Sequence, residues 1–476
     1  MYFVCLLENP RFSTLADSLL SDTGNSRFPT LSHPNLKAMD YKNYFKDKKV
    51  TLLGLGLLGR GVGDAEFLAR HGTELIVTDL KTKEQLASSL ARLKGFSNIS
   101  YRLGGHDLAD FRGRDFILKA AGVPLDSPFV AEARKNGIAI EMDASLFVKL
   151  APAITTIGIT GTRGKSTTVA LIYEILKAAG KRVFLAGNIK DTATLPLLEK
   201  IQEGDTMVLE LDSWQLQGFG DAKMSPHISV FTTFLPDHMN YYKDDMEAYF
   251  DDKANIFKYQ NVQDHLVVGE DIAEKFTWGK GQLHVAHVAD VPKDFLVHLP
   301  GEHSRLNAAC ALAVGGILGI EQQLIQSTLK EFKGLPGRLE LKRVINDISY
   351  YNDTNATTPT ATLAGLRAVS RDKNVVLIMG GADKGLDMSG LVAEIPQHCK
   401  AVVLLAGSGT EQLKASYPEL AITTEAKSLD EALQKAKGFA TKGDVVLFSP
   451  AFASFGMFKN EYDRGEQFNV LLAELN

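Results

Sequence analysis

The sequence has little cysteine and no apolar run long enough to cross a membrane. Its three cysteines, Cys5, Cys310 and Cys399, lie far apart and without metal-ligand spacing, which excludes a disulfide framework and favours a reducing compartment. The apolar segment 308–320 is too short to span a bilayer, and the N-terminal residues lack the basic region of a signal peptide. We therefore expect a cytoplasmic protein that makes no use of a membrane.

A strong excess of charge of either sign is also missing. The net charge of −5 at pH 7 and the isoelectric point of about 6.2 argue against a general nucleic-acid binder. Hydrophobic residues make up 45% of the 476 positions, which is enough to fill the cores of several domains. Residues 1–38 are rich in Ser, Pro and Asn and lack periodicity, so we predict a disordered extension or a start codon placed too early.

The chain does contain a phosphate-binding loop between residues 157 and 168. An apolar, strand-like run ends at Ile159, and the letters TGTRGKST then lead into a helical pattern. Backbone N–H groups of such a loop point at phosphate oxygens, while Lys165 adds a positive charge and Ser166 a hydroxyl for Mg²⁺. Ile159 replaces the first glycine of the general pattern, so an ordinary glycine-rich turn is the alternative. Because Lys-Ser-Thr has no packing purpose at a helix start, we predict nucleoside triphosphate binding.

A second glycine-rich turn lies nearer the N terminus, directly after a strand-like run that begins at Val50. The next strand-like run ends at Asp79, about twenty residues beyond the turn, where a Rossmann fold places its ribose-binding acid. A tight turn that only lets a helix pack on a strand is the alternative reading. The residues of the turn are Gly54, Leu55, Gly56, Leu57, Leu58 and Gly59.

Apolar runs alternate with helical patterns along the rest of the chain, which predicts three α/β domains. We place them at residues 39–145 (Rossmann-like), 146–334 (P-loop, mainly parallel sheet) and 335–476 (a further doubly wound domain without a second P-loop). In the second domain, Glu210 and His238 each follow a strand-like run. Ligands gather at the carboxyl ends of parallel strands, so both residues should lie near the P-loop.

Several further motifs follow in a fixed order along the chain. They are TGTxGKST, Gly187-Asn188, Glu210-Leu211, Asp237-His238, Lys253, Asn307, Leu335-Pro336-Gly337-Arg338 and Asn352-Asp353. This order resembles the Mur ligases of peptidoglycan synthesis, from about residue 48 to the C terminus, and is most similar to their glutamate-adding members. The resemblance implies a monomeric ligase with domains for a UDP-sugar, ATP and an amino acid. It would join glutamate to UDP-N-acetylmuramoyl-L-alanine through an acyl phosphate.

The resemblance also implies roles for individual residues. ATP would be bound by Gly161, Thr162, Arg163, Gly164, Lys165, Ser166, Thr167, Asn307, Arg338 and Asp353. The catalytic residues would be Lys165, Glu210, His238 and Lys253, and two Mg²⁺ ions would be held by Ser166, Glu210, His238 and Lys253, the lysine as a carbamate. The UDP-sugar would contact the glycine-rich turn, Asp79 and Asn188, and glutamate would contact Thr357, Lys384 and Ser454.

Four positions depart from the family pattern. They are Asp212 in place of serine, Asn355 in place of lysine, Glu461 where phenylalanine is frequent, and Lys81 where arginine is common. These departures leave the stereochemistry of glutamate open, because a related ligase adds L-glutamate to the same precursor. A regulatory relative without turnover is a second alternative, although the complete metal-binding set favours an enzyme. For Lys253 itself, the alternative is an ion pair on a helix surface with Asp252 or a neighbouring acid.

Overall fold

The computed structural model describes residues 40–57, 59–189, 192–276, 279–292, 295, 299–418, 420 and 424–475. The predicted extension 1–38 and Leu58 of the glycine-rich turn lie outside these residues. The described chain forms three α/β domains, each built on its own sheet. The fold class predicted from the sequence is confirmed.

The first domain comprises α1 (Tyr41–Phe45), β1 (Lys49–Leu53), α2 (Arg60–Arg70), β2 (Glu74–Asp79), α3 (Ala87–Leu93), β3 (Ile99–Leu103), β4 (Phe116–Lys119), α4 (Pro128–Lys135) and β5 (Ala139–Glu141). Its strands are parallel, in the order β3-β2-β1-β4-β5. The order reverses between β1 and β4, which leaves a crevice at the carboxyl ends of these two strands. The glycine-rich turn follows β1 and therefore lies at this crevice.

The second domain carries the P-loop after its central strand β6. Its elements are α5 (Asp143–Leu150), β6 (Thr155–Thr160), α6 (Lys165–Ala178), β7 (Val183–Gly187), β8 (Thr206–Glu210), α7 (Ser213–Asp221), β9 (Ile228–Phe231), α8 (Met239–Tyr242), α9 (Met246–Ala254), β10 (His265–Gly269), β11 (Gln282–Ala286), α10 (Glu302–Ile317) and α11 (Gln322–Glu331). The strand order is β11-β10-β9-β6-β8-β7, all parallel. Every residue of β6, β8 and β9 is buried, because helices cover both faces of the sheet.

The third domain adds one antiparallel edge strand that the sequence pattern did not predict. It comprises β12 (Glu340–Ile345), β13 (Ile348–Asn352), α12 (Pro359–Val369), β14 (Val375–Gly380), α13 (Ser389–His398), β15 (Cys399–Leu405), α14 (Ser408–Ser416), β16 (Thr424–Ala426), α15 (Leu429–Phe439), β17 (Val445–Phe448) and α16 (Glu461–Glu474). The strand order is β12-β13-β17-β14-β15-β16, and only the β12–β13 pair is antiparallel.

One apolar cluster spans the first two domains, whereas the clusters of the third domain contain only its own residues. Helix α5 joins the first two domains, because Leu146, Phe147 and Leu150 pack in a cluster that contains residues of both sheets. The predicted boundary between residues 145 and 146 falls inside this helix, and the domain limits themselves stay predictions. Within the described ranges, none of the helices combines the length and apolar composition that a membrane crossing requires.

Candidate active site

The phosphate-binding loop depends on two glycines. Gly161 and Gly164 have φ angles of 138° and 87°. A Cβ at Gly161 would lie 2.1 Å from Thr232 Oγ1, and one at Gly164 would lie 2.2 Å from Asn307 Oδ1. Any larger residue would therefore be strained and would clash. Asn307 of α10 therefore lies against the loop, and the resemblance assigns it to nucleotide binding.

Lys165, the first residue of α6, folds back onto the loop. Its Nζ donates to the carbonyl oxygens of Gly161 (3.0 Å) and Thr162 (3.2 Å). Burial lowers the pKa of Lys165, while nearby Glu210 acts in the opposite direction. A phosphate at the loop would supply the anionic partner that favours the charged ammonium. The side chain is thus held at the place where phosphate charge is expected.

Two polar segments follow β8 and β9 beside this loop. Glu210 ends β8 and is 5% exposed, and its carbonyl accepts a hydrogen bond from Asn188 N (2.7 Å). After β9, Asp237 pairs with Arg163 of the loop at 3.2 Å. Burial opposes ionisation of Asp237, yet Arg163 and neighbouring His238 hold its pKa below the usual range.

His238 lies at the start of α8 in the left-handed region, with φ of 57°. Its ring is 4.5 Å from the ring of Trp214, measured between centroids. Burial lowers the pKa of His238, so the neutral imidazole, which is the form that ligates metals, is favoured. The sequence pattern named His238 but did not assign a role to Trp214.

Lys253 of α9 is buried, not on a helix surface. It is 1% exposed, and its Nζ donates to Gly161 O at 3.0 Å and lies 4.9 Å from the ring centre of Tyr249. Burial, followed by the charge of Lys165, lowers its pKa well below the usual value. The carboxylate of Asp252 accepts instead from Gln217 Nε2 (2.8 Å) and a tyrosine hydroxyl. The alternative of a surface ion pair with Asp252 is therefore wrong.

The metal-ligating side chains beside the P-loop fit a metal ion that binds together with the nucleotide. Within the part of the chain that the structure describes, no group of three His, Cys, Asp or Glu side chains could hold a metal ion alone. Glu210 and the Ser166 hydroxyl offer oxygen ligands, and Mg²⁺ in phosphate-transfer sites takes its other ligands from phosphate oxygens and water. Lys253 as an ammonium cannot ligate a cation, so only its carbamate would fit.

The third domain reaches the same loop through polar contacts. Arg338 NH2 donates to Ser166 Oγ at 3.0 Å, and Arg163 NH2 donates to Thr358 Oγ1 at 2.9 Å. Beside Thr358, the Thr357 hydroxyl accepts from Lys384 Nζ at 3.1 Å. The predicted glutamate-binding residues Thr357 and Lys384 therefore lie together, next to the P-loop.

Two acidic residues that were predicted to contact a nucleotide, Asp353 and Asp79, form hydrogen bonds within their own domains. Asp353 accepts from Leu339 N (2.9 Å) and Ser449 Oγ (2.8 Å), and burial raises its pKa to about 7. Asp79 accepts from Gly56 N (3.0 Å) and from the backbone N–H of Lys81. Both acids therefore hold loops in place, and their contacts with a nucleotide stay predictions.

The glycine-rich turn of the first domain has both buried and exposed residues. Leu55 is 1% exposed and Leu57 is 56% exposed. Gly54, Gly56 and Gly59 all have positive φ, so the backbone conformation requires glycine there. The turn leaves Leu57 at the mouth of the crevice, in a position to contact a ligand.

Two of the four departures from the family pattern, Asp212 and Asn355, make local side-chain hydrogen bonds, whereas Glu461 contributes a backbone carbonyl. Asp212 caps α7 by accepting from Gln215 N at 2.7 Å, as serine also can. Asn355 donates to Pro336 O at 3.3 Å. The backbone carbonyl of Glu461 accepts from Thr354 Oγ1 at 3.2 Å.

A buried arginine that the sequence pattern did not reveal supports the third-domain loops. Arg464 is 0% exposed and donates to Thr354 O (2.8 Å), Thr354 Oγ1 (3.0 Å) and Phe452 O (3.2 Å). The loop that contains Phe452 also carries Ser454, which is 4% exposed. The other charged residues of α16 are exposed or half-buried, so no local signal marks Arg464 as the buried one.

Comparison with known proteins agrees with this geometry. Three family models match the chain: a Mur ligase MurD-like N-terminal domain (residues 48–141), a Mur ligase middle domain (159–286) and a Mur ligase glutamate ligase domain (337–452). A UDP-N-acetylmuramoylalanine–D-glutamate ligase of Roseiflexus sp. (strain RS-1) is 35% identical over 465 residues, covering 89% of this chain and 98% of the relative. The chain belongs to the Mur ligase family.

Further relatives of this Mur ligase have similar lengths. An Acetivibrio thermocellus protein of the same name is 33% identical, covering 92% of this chain and 99% of its own. Among solved structures, a UDP-N-acetylmuramate-alanine ligase from Thermotoga maritima aligns with a TM-score of 0.57 at 20% identity, covering 90% and 99% of the two chains. The family predicted from the sequence motifs is confirmed.

Proposed function

We propose that this Mur ligase joins D-glutamate to UDP-N-acetylmuramoyl-L-alanine in the cytoplasm, during peptidoglycan precursor synthesis, with ATP converted to ADP and phosphate. Relatives that match it over nearly their whole length carry the name of that ligase. One observation supports the proposal most directly. Lys165 and Lys253 of the second domain and Arg338 of the third all donate to residues of one phosphate-binding loop.

The first step forms an acyl phosphate. The alanine carboxylate attacks the γ-phosphorus of ATP, and the bond to the ADP oxygen breaks. Two anions must approach each other, so positive charge beside the loop lowers the barrier, and Lys165 and Arg338 supply it. Mg²⁺ bound by Ser166, Glu210, His238 and the Lys253 carbamate would neutralise further phosphate charge.

In the second step the glutamate amine attacks the acyl carbon. The new C–N bond forms as the C–O bond to phosphate breaks, and the amine loses its proton. We place the incoming glutamate against Thr357, Lys384 and Ser454, where the Lys384 ammonium would pair with a carboxylate. The hydrogen bond from Lys384 to Thr357 holds that ammonium next to the P-loop before substrate arrives.

The other substrate would extend between the first two domains. Its uridine portion would lie in the crevice after β1, against the glycine-rich turn and Asp79. Asn188, whose N–H is bonded to Glu210 O, would contact the muramoyl portion between that crevice and the P-loop. ATP itself would contact the loop from Gly161 to Thr167, with Asn307, Arg338 and Asp353 around the nucleotide.

The decisive experiment is phosphate release from ATP, measured with and without UDP-N-acetylmuramoyl-L-alanine and each glutamate enantiomer. We expect stimulation only when the UDP substrate and D-glutamate are both present, with the amide product identified by mass spectrometry. Stimulation by L-glutamate instead would assign the L-adding activity. No stimulation by any combination would refute the ligase and favour a regulatory relative.

We also expect the third domain to close on ATP about residues 334–337, where Gly334 and Gly337 have positive φ. Small-angle scattering should show a smaller radius of gyration with a nonhydrolysable ATP analogue and the UDP substrate. Arg338→Ala should abolish this compaction, because it removes the donor to Ser166. Arg367→Ala, which affects an exposed pair with Glu394 on the same domain, is the control. A native protein that does not compact would contradict the hinge.

A further inference from the structure

Glu461 begins α16, next to the loops that carry the predicted glutamate-binding residues. Its backbone carbonyl accepts from Thr354 Oγ1 at 3.2 Å, so the start of α16 is held against the loop after β13. The same loop carries Thr357, whose hydroxyl accepts from Lys384 Nζ at 3.1 Å. Burial lowers the pKa of Lys384, whereas the charges of Asp237 and Glu461 act to raise it. The Glu461 carboxylate therefore lies within electrostatic range of the Lys384 ammonium.

Backbone hydrogen bonds join the loop of Lys384 to the loop of Ser454. Ala382 N donates to Ala453 O at 3.0 Å, and Ala453 N donates to Ala382 O at 3.1 Å. Arg464 of α16 donates to a carbonyl of the second loop at 3.2 Å. The start of α16 and both loops are therefore bonded together around the place that we propose for the incoming amino acid.

The side chain of Glu461 is half-buried and has no partner within the described part of the chain. Its carboxylate accepts no hydrogen bond there, and no Lys, Arg or His nitrogen lies within 4.0 Å of it. Asp237, the other acid that acts on Lys384, is already paired with Arg163 at 3.2 Å. Of these two acids, Glu461 is thus the one that keeps the capacity to bind a cationic group of a ligand.

Two structural roles for Glu461 are the alternatives. Burial lowers the pKa of Arg464 to about 10, and the charge of Glu461 opposes that effect, so Glu461 would offset a buried positive charge. However, Arg464 already donates to Thr354 O, Thr354 Oγ1 and Phe452 O. An acid in the first turn of a helix also interacts favourably with the helix dipole. Neither role involves a ligand, so an experiment can separate them from binding.

We propose that Glu461 binds the α-ammonium of the incoming amino acid, while the Lys384 ammonium binds one of its carboxylates. The proposal rests on the proposed function and concerns the same amino-acid site. A free amino acid carries both charges at neutral pH, and each contact would be a charge-assisted hydrogen bond. Phenylalanine, which is frequent at position 461 in the family, offers no such contact. The ammonium would lose its proton before the amine attacks the acyl carbon.

The test compares glutamate with glutarate, because glutarate lacks only the amino group. Phosphate release is measured with saturating ATP and UDP-N-acetylmuramoyl-L-alanine, using the glutamate enantiomer that the native protein accepts and glutarate as its competitive inhibitor. In Glu461→Gln, we expect the KM for glutamate to rise by roughly tenfold, with a smaller change in kcat and an unchanged inhibition constant for glutarate. Glu466→Gln, which changes an exposed acid on the same helix, is the matched control and should keep all three native values.

The outcomes separate an ammonium contact from a structural effect. If glutamate and glutarate weaken equally in Glu461→Gln, the residue only maintains the pocket and the proposal is wrong. A lower melting temperature with a native KM for glutamate would assign Glu461 to Arg464 or to the helix dipole instead. Should Glu461→Gln not fold, Glu461→Phe must show the same selective loss of glutamate affinity. If the native protein releases no phosphate in response to either glutamate enantiomer, the proposed function itself fails, whereas a native response with unchanged Glu461→Gln constants contradicts this inference alone.

Discussion

Replacing Lys165 with alanine should leave a folded protein whose ligase turnover is lower by roughly two to three orders of magnitude or more. The ammonium of Lys165 donates to the Gly161 and Thr162 carbonyls and stands where the transferred phosphate is expected. One preorganised electrostatic contact of this kind is worth about 3–4 kcal/mol in a transition state. Steady-state phosphate release, with circular dichroism as the test of folding, measures the effect.

The control for this change lies on the same helix. Lys177→Ala removes an exposed lysine that pairs with Glu174 one turn away, and such surface pairs contribute little to stability. It should have near-native activity. If the folded Lys165→Ala protein also retained a near-native rate, the assignment of the loop as the ATP phosphate site would have to be abandoned.

Lys253→Ala should be nearly inactive, and acetate or formate should partly restore its activity. Burial against Gly161 O and Tyr249 favours a neutral amine at Lys253, and a neutral amine can attack CO₂ and lose a proton to become a carbamate. The carbamate is a hard oxygen ligand of the kind that Mg²⁺ prefers. A small carboxylate in the space left by the side chain would replace that ligand.

Rescue distinguishes a lost ligand from lost packing. Truncation of a buried side chain also destabilises a fold, but an added carboxylate has no reason to reverse that effect. Lys258→Ala, which changes an exposed lysine just beyond α9, should respond to neither acetate nor CO₂ depletion. Full activity of Lys253→Ala in CO₂-depleted buffer would show that the side chain is no metal ligand.

Local patterns predicted most of the fold because parallel strands and glycine turns leave local signals. Continuous apolar runs predicted β6, β8 and β9, which are buried throughout. Strand β9 ends at Phe231, and beyond it the hydroxyls of Thr232 and Thr233 form hydrogen bonds with the backbone of Arg163 in the P-loop. The edge strand β12 is only partly buried along its length, so its sequence shows neither a continuous apolar run nor a regular alternation of apolar and polar residues.

The arrangement of the candidate active site depends more strongly on contacts between residues that are far apart in the sequence. The sequence motifs named Lys165, His238 and Lys253, but they left open whether Lys253 was buried or paired with Asp252. Its burial follows from packing of α9 against the P-loop, which is 92 residues away along the chain. No local pattern distinguishes such a lysine from a surface one.

The sequence by itself determined the three α/β domains, the two glycine-rich turns and the Mur ligase motifs. Each depends on backbone conformations or residue types that neighbouring positions specify. Only the tertiary structure decided which charges are buried together, because burial depends on elements that meet across domains. Arg338 therefore contacts Ser166 from another domain, and the charge of Glu461 acts on Lys384 although the two residues lie far apart in the sequence.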